Sequence, residues 1–205
     1  MKQNNISSSS GRDTIGLSCK TLLSLCVEHK NYRLVLIEKH RLKEYIAILK
    51  RPAFYEFMDC KVIKDISHKK ALSLMLDIYN RYNSENTGTE FRYALEDREA
   101  GLIVGSFVVH VISNTTAEIG WYIISEYSGR NLGATFCGLL IDYIFKNLQN
   151  VANIRAEIQS ANKASIHLAN KVGFIEKSRY QGSYTTNIIY NLDRASWETR
   201  RLGKA

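Results

Sequence analysis

The sequence predicts a mixed α/β fold, in which a central, mostly antiparallel sheet carries helices on both faces. Runs that alternate between apolar and polar residues, typical of strands, are separated by stretches with the apolar spacing of amphipathic helices. Three strand-like runs follow one another without an intervening helix, which favours antiparallel pairing. With 205 residues, the chain has the length of a single domain.

The predicted elements follow the order β-α-α-β-β-β-α-β-α-β-β within a domain spanning residues 30–193. The first helix has Leu42, Tyr45, Ile46 and Leu49 on one face and is stopped by Pro52, the only proline of the chain. Ser67 is a suitable N-cap for the second helix, and Gly173 is expected to end a later helix in a left-handed conformation. The other elements are a strand that begins at Tyr32, strands at 91–96, 102–113 and 117–124, a helix at 133–148, a strand at 154–158, a helix at 163–171, and strands at 174–180 and 186–192.

The two ends of the chain differ from this central part. Residues 1–29 begin with a polar, serine-rich stretch that is a poor core builder, so we expect a partly disordered N-terminal extension. Residues 194–205 are rich in arginine and lysine, and we expect them to form a basic tail.

Composition narrows the classes of function. No stretch approaches 18 consecutive apolar residues, so we expect a cytoplasmic protein without membrane contact. The four cysteines contain no C-x-x-C pair, and no metal site is expected. The net charge of +8 is compatible with a phosphorylated small ligand, with a nucleic acid, or simply with a well-solvated surface.

A segment rich in small residues joins the predicted strand at 117–124 to the helix at 133–148. Gly129, Asn131 and Gly133 allow several backbone N–H groups to turn toward one point. The N-terminus of the helix adds unpaired N–H groups and a positive dipole, so a pyrophosphate would fit there. Glycine-containing turns before helices are common, so the loop by itself does not identify a ligand.

Three segments together resemble the GNAT superfamily of N-acetyltransferases, and within it the RimJ- and RimL-like branch of ribosomal-protein N-terminal acetyltransferases. They are the strand at 118–123, the loop at 128–134, and the segment at 162–174, which contains Asn162, Ser165 and Gly173-Phe174. The resemblance covers about residues 32–192. It implies the GNAT fold, acetyl-CoA as the acetyl donor, and a primary amine as the acceptor.

The resemblance also implies where the cofactor binds. The phosphates are expected on the backbone amides of the loop, the pantetheine arm beside the strand and Asn162, and the oxyanion near the amides of 122–124. The loop has Ser128 where the family has glutamine or arginine, and Asn131 where it has glycine, but asparagine tolerates a left-handed backbone. The expected cofactor-binding residues are Tyr122, Ile123, Ile124, Ser128, Gly129, Arg130, Asn131, Leu132, Gly133, Ala134 and Asn162.

The catalytic residues implied by the resemblance include an unusual general acid. Many members of the superfamily have a tyrosine seven residues after the asparagine, but this chain has Ala169. The RimJ- and RimL-like branch has a serine three residues after the asparagine, so Ser165, or a water that it holds, is expected to assist the departing thiolate. A CoA thiol has a pKa of about 8.5 and needs only modest help.

Two carboxylates are candidates for the general base, Glu118 and Glu157. Strand alternation places Glu157 on the face of its strand opposite the core-facing apolar residues. Its place five residues before Asn162 matches a base position of some N-terminal acetyltransferases. Each glutamate is equally compatible with an ion pair on a solvated strand.

The favoured acceptor is a protein N-terminal α-amine, with a ribosomal protein as its source. Acetylation of a small-molecule amine, such as an antibiotic or an amino-acid conjugate, stays open because the acceptor region at 40–83 resembles the family least. A non-catalytic CoA sensor and a basic ribosome-associated module are further alternatives. The sequence also leaves a homodimer open. We interpret His110 and His167 as packing or surface residues.

Overall fold

A computed structural model describes residues 21–57, 67, 69–74, 76–77, 89–182 and 185–203. The strands are β1 (Cys26–His29), β2 (Tyr32–Leu36), β3 (Glu90–Asp97), β4 (Leu102–Ser113), β5 (Thr116–Ile123), β6 (Asn153–Gln159), β7 (Ile175–Gln181) and β8 (Thr186–Asp193). The α-helices described from end to end are α1 (Leu42–Leu49), α2 (Pro52–Tyr55), α3 (Leu132–Asn147), α4 (Lys163–Val172) and α5 (Arg194–Leu202). Two 3-10 helices span Lys39–Arg41 and Ser125–Tyr127.

Within these residues, eight strands form one mixed sheet in the order β1-β2-β3-β4-β5-β6-β8-β7. Helices cover both faces of it. Tyr45 of α1 hydrogen-bonds Ser106 of β4, which pairs with Tyr122 of β5. The next residue, Ile123, points to the other face, where it lies beside Gly133 of α3. The predicted fold class is therefore confirmed.

The sheet splits between β5 and β6, the one parallel pair among the described strands. These strands pair only where Thr116–Glu118 lies beside Asn153–Arg155. Beyond that point β5 continues to Ile123 and β6 continues to Gln159 without pairing to each other. Every other pair of neighbouring strands is antiparallel. The split leaves backbone groups of both strands facing a common opening.

The predicted central elements are present where the structure describes them, with ends that shift by a residue or two. The helix after Ser67 is seen at 69–74 and 76–77, and the Ser67 hydroxyl accepts the Lys70 amide at 3.2 Å. The rest of the predicted helix lies outside the described residues. Gly173 ends α4 with φ of 116°, and the amides of Gly173 and Phe174 both donate to the Ala169 carbonyl at 3.0 Å. The predicted left-handed helix end is confirmed.

Both predicted termini need correction. Residues 26–29, expected in an extension, form β1, which pairs with β2, while Leu22 and Leu25 are buried in the core. Residues 194–202, expected in a tail, form α5. Its Trp197 is 8% exposed and donates to Asp142 of α3 at 2.8 Å. Residues 1–20 lie outside the described part.

Arg194, the first residue of α5, holds the C-terminus of α3. Its guanidinium donates to the carbonyls of Leu148 at 2.9 Å, Gln149 at 3.3 Å and Val151 at 2.7 Å, and also to that of Phe145. It also lies 4.7 Å from the centre of the Phe145 ring. The last carbonyls of a helix have no intrahelical partner, so Arg194 supplies a donor to the Phe145 carbonyl in the last turn of α3 and ties the following residues to it. No helix in the described part of the chain is long and apolar enough to span a bilayer.

Candidate active site

The split between β5 and β6 opens into a cavity of about 640 Å³. Its walls come from both diverging strands, the loop before α3, helix α4, and the region of α2. The described lining residues are Ala53, Phe54, Glu56, Phe57, Ile119, Gly120, Trp121, Tyr122, Ile123, Ser125, Tyr127, Ser128, Gly129, Asn131, Leu132, Gly133, Ala134, Ala156, Glu157, Ile158, Gln159, Asn162, Ala164, Ser165, His167, Leu168 and Lys171. The strands, the loop and the segment that the resemblance singled out therefore meet at one cavity.

The loop before α3 uses two left-handed residues. Gly129 has φ of 77°, and Asn131, the N-cap of α3, has φ of 61° and ψ of 11°. The Thr135 amide donates to the Asn131 carbonyl at 3.1 Å and begins the helical ladder. The preceding amides at the start of α3 have no intrahelical acceptor and can bind an anion. The expectation that Asn131 adopts the conformation usual for glycine is confirmed.

The start of α3 also packs closely against α4. A Cβ atom on Gly133 would lie 2.4 Å from Cδ1 of Leu168, closer than real side chains come. Glycine at this position therefore lets the two helices approach where the loop meets the cavity.

A positive charge that the sequence analysis did not identify lies beside this loop. Nζ of Lys171, on α4, donates to Oδ1 of Asn131 at 2.8 Å and lines the cavity. Arg130, an expected cofactor-binding residue, is not among the described lining residues. Its guanidinium lies 4.2 Å from the centre of the Tyr127 ring and donates to the Tyr32 hydroxyl at 3.3 Å. The structure thus brings Lys171, and not the Arg130 side chain, to the cavity.

The backbone of β5 offers fewer free amides than expected. The Ile124 amide donates to the Val104 carbonyl at 3.0 Å, so it is not free to donate to an oxyanion. Tyr122 is paired with Ser106, and strand alternation directs its amide toward β4 as well. The Ile123 amide faces the opposite way, toward the split. Of the three amides, that of Ile123 has the orientation needed to bind an oxyanion.

Asn162 and Ser165 meet at the first turn of α4. Oδ1 of Asn162 accepts the Ser165 amide at 3.0 Å, which confirms Asn162 as the N-cap. Both residues line the cavity, as does His167, which is exposed in agreement with its interpretation as a surface residue. Ala169 is fully buried. The structure therefore places Ser165 at the cavity, whereas Ala169 is not among the described residues that line it.

Glu157 is the predicted base that reaches the cavity. Its side chain is 32% exposed, and it lies opposite the buried residues of β6, as alternation predicted. Oε1 accepts a hydrogen bond from Nδ2 of Asn187 at 3.0 Å and another from the Tyr180 hydroxyl. The hydrogen bond to this carboxylate raises the pKa of Tyr180, because a phenolate would lose the proton that it donates.

Glu118 has a different environment. Oε2 of Glu118 accepts Nε of Arg155 at 2.5 Å, at the last paired position before the split. Nη2 of Arg155 lies 3.6 Å from Oε2 of Glu157. Glu118 is not among the described residues that line the cavity. Arg155 thus links the two glutamates, and the structure does not bring Glu118 together with Ser165.

The wall opposite α4 is aromatic. The rings of Tyr122 and Phe54 meet edge to face, with centroids 5.0 Å apart. The Tyr122 hydroxyl is buried without a hydrogen-bond partner among the described residues, and burial raises its pKa. Next to this wall, Arg51 donates to both carboxylate oxygens of Glu126 at 2.7 Å, which lowers the Glu126 pKa to about 2. The pair ties the start of α2 to the loop that precedes α3.

The sequence of this chain matches a known family. Residues 32–175 match the family described as "Acetyltransferase (GNAT) domain", which is more than half of the chain. The chain therefore belongs to the GNAT acetyltransferase family. In the described part of the chain, no group of three or more His, Cys, Asp or Glu side chains is arranged to hold a metal ion.

Individual relatives agree with this assignment. The chain is 29% identical over 114 residues to a Bacillus subtilis protein named "Putative ribosomal N-acetyltransferase YdaF". That match spans 49% of this chain and 61% of the relative's length. Ribosomal-protein-S5-alanine acetyltransferase from Vibrio fischeri has a similar fold, with a TM-score of 0.72 and 17% identity over 85% of this chain and 99% of that one. Spermidine N-acetyltransferase from Vibrio cholerae, solved with CoA and spermine, has a TM-score of 0.68 and 18% identity over 83% of this chain and 99% of that one.

Proposed function

We propose that this chain is an acetyl-CoA-dependent N-acetyltransferase whose donor site is the split between β5 and β6. The observation that carries the proposal is the meeting of three features at one cavity: unpaired strand edges, the N-terminus of a 16-residue helix, and a loop with two left-handed residues. Membership of the GNAT family supports the same reading. The site fits a long, phosphorylated ligand, because the amides lie at one end and the strand edges extend away from them.

The residues that would hold the donor follow from this geometry. The amides at the start of α3 and the Lys171 ammonium would bind the pyrophosphate. Asn162 and the β5 edge, with the free Ile123 amide, would bind the pantetheine arm. Bound acetyl-CoA supplies the acetyl group as a thioester.

The chain's own groups would then carry out the proton transfers. Glu157 would accept a proton from the attacking amine, because it is the carboxylate of the two candidates that reaches the cavity. The Ile123 amide would donate a hydrogen bond where negative charge develops. The Ser165 hydroxyl would donate to the leaving sulfur, directly or through a water.

We propose a protein N-terminal α-amine as the acceptor, in the cytoplasm, with ribosomal proteins as its source. Two of the relatives named above carry ribosomal-protein acetyltransferase names. The cavity wall argues in the same direction. Glu56 and Glu157 are the carboxylates among the described lining residues, beside the aromatic side chains Phe54, Phe57 and Trp121. A long polycation such as spermine would need more negative charge than this wall provides.

The alternative of a basic ribosome-associated module depends on free arginines near the C-terminus, and two of these arginines are bound within the chain. Arg194 is bound to four backbone carbonyls, and Arg201 pairs with Asp142. These arginines fix α5 to the domain instead of forming a free basic tail.

An acetylation screen tests the proposal. N-terminal peptides and small amines, including spermidine, are incubated with acetyl-CoA, and the products are identified by mass spectrometry. We expect peptides to be acetylated at the α-amine. Glu157→Gln should lower kcat by about 10²-fold, and more than Glu118→Gln does.

Three outcomes would contradict parts of the proposal. Acetylation of spermidine but of no peptide would replace the acceptor that we propose. CoA binding without turnover on any amine would indicate a sensor. Equal losses for the two glutamate variants would remove the role assigned to Glu157.

A further inference from the structure

Three polar side chains meet beside the cavity, across the strands β6, β8 and β7. They are Glu157 of β6, Asn187 of β8 and Tyr180 of β7. In the register of the sheet, Asn187 lies between Gln159 and Tyr180, so these side chains share the face on which Glu157 lies. Of the three, Glu157 lines the cavity. Tyr180 and Asn187 contact the Glu157 carboxylate from the side away from the split.

Asn187 is a buried polar residue whose side-chain amide donates a hydrogen bond to Glu157. It is 4% exposed, and Nδ2 lies 3.0 Å from Oε1 of Glu157 and 3.2 Å from the Tyr180 hydroxyl. Its Oδ1 is buried without a hydrogen-bond partner among the described residues. Burying an amide is unfavourable unless it is hydrogen-bonded. The hydrogen bond to the Glu157 carboxylate therefore offsets much of the cost of burying the Asn187 amide.

Tyr180 lies on an edge strand that contributes little to the core. All seven residues of β7 are exposed, and Tyr180 itself is 45% exposed. Its hydroxyl nevertheless donates to Oε1 of Glu157. The raised pKa of Tyr180, caused first by this hydrogen bond, agrees with a phenol that keeps its proton and donates it to the carboxylate. Burial of the ring does not account for this position, whereas the hydroxyl contact does.

We propose that Tyr180 is a positioning residue that orients the Glu157 carboxylate for proton transfer. Together with Asn187, its hydroxyl occupies Oε1 with two donors. This leaves Oε2, which lies 3.6 Å from Nη2 of Arg155, to take the proton from the acceptor amine. Without these donors the glutamate side chain would sample other rotamers, and fewer molecules would hold the carboxylate toward the cavity. This inference rests on the proposed N-acetyltransferase function.

Steady-state kinetics of Tyr180→Phe, Glu157→Gln and the double variant provide the first test. Tyr180→Phe is expected to lower kcat about tenfold, the effect of one hydrogen bond to a charged group, and to leave the KM for acetyl-CoA unchanged. In the Glu157→Gln background, Tyr180→Phe should have no further effect, because the group that it positions has been removed. Tyr190→Phe is the control, since Tyr190 lies on the neighbouring strand β8 with its ring in the core on the opposite face.

A titration that needs no turnover provides the second test. With tyrosine labelled at the Cζ carbon, NMR should show Tyr180 titrating above its ordinary pKa of 10 in the wild-type protein and lower in Glu157→Gln. An unchanged Tyr180 titration in that variant would overturn the contact. An active wild-type enzyme in which Tyr180→Phe keeps full kcat, or in which the two substitutions act additively, would overturn the positioning role alone. A wild-type protein that acetylates no amine would overturn the proposed function itself, whatever the titration shows.

Discussion

The left-handed conformation of Asn131 allows a sharp test of the phosphate loop. Its φ of 61° is accessible to asparagine and glycine but strained for alanine. The residue is the N-cap of α3, so its conformation sets the direction of the amides that follow. We therefore compare Asn131→Ala with Asn131→Gly. Both variants lose the side-chain contact with Lys171, so the difference between them reports on the backbone.

The magnitude follows from the cost of that conformation. A left-handed residue with a Cβ costs about 1–2 kcal/mol. If binding CoA requires this conformation, Asn131→Ala should bind CoA about 5- to 30-fold more weakly than Asn131→Gly, since 1.4 kcal/mol corresponds to a tenfold change. Isothermal titration calorimetry with CoA measures the two affinities, and urea unfolding shows whether both variants are folded at the assay temperature.

Two results would refute this reasoning. Equal affinities of the alanine and glycine variants would show that the backbone conformation at Asn131 does not control binding. A glycine variant weaker than the alanine variant would show that rigidity of the loop matters more than access to the left-handed region.

Further predictions concern three cationic side chains. Lys171→Gln should weaken CoA binding about fivefold and make the affinity less sensitive to salt, because a positive charge beside the loop is lost. Calorimetry at two salt concentrations measures both effects. An affinity and a salt sensitivity that stay at wild-type values would contradict this prediction. Arg194→Gln should lower the free energy of unfolding by about 2–3 kcal/mol, because charged donors to the end of α3 are lost; an unchanged urea midpoint and slope would disprove it. Arg51→Gln should return the Glu126 pKa from about 2 toward the ordinary 4.5, as carboxyl NMR would show, whereas a midpoint that stays near 2 would exclude Arg51 as the cause. Because the folded-state pKa of Glu126 is depressed, the Arg51 pair stabilises the wild-type fold fully above about pH 4.5, and this contribution is lost as the pH falls toward 2.

The central elements were predictable because their apolar periodicity is long and regular. The run from Leu102 to Ser113 was predicted with the ends that β4 has. β1 has only four residues without alternating burial, so its pairing with β2 carries no local signal. Helix α5 has one buried apolar residue, Trp197, and its many charges resemble those of a solvated tail. In both cases tertiary contacts, and not local pattern, decide the structure.

The site was predictable where backbone conformation and local capping determine it. Asn131 and Asn162 could be assigned from their places before helices. Lys171 could not, because its contact with Asn131 spans 40 residues of sequence. Tyr180 contacts Glu157 across 23 residues and two strand pairings.

Apart from the spacing of Glu157 to Asn162, the sequence does not distinguish the two candidate bases. Their difference depends on where β5 and β6 stop pairing. Glu118 lies at the last paired position, and Glu157 lies two residues beyond the paired segment of β6. The register of a parallel strand pair is not visible in the sequence of either strand, so the structure is needed to show that Glu157, and not Glu118, reaches the cavity.

A crystal structure of the protein with CoA tests the central claim most directly. Our account predicts the pyrophosphate oxygens within hydrogen-bonding distance of the amides between Gly129 and Ala134, and the pantetheine arm between β5 and β6. A CoA molecule bound outside the split, or crystals in which saturating CoA leaves no density there, would contradict it.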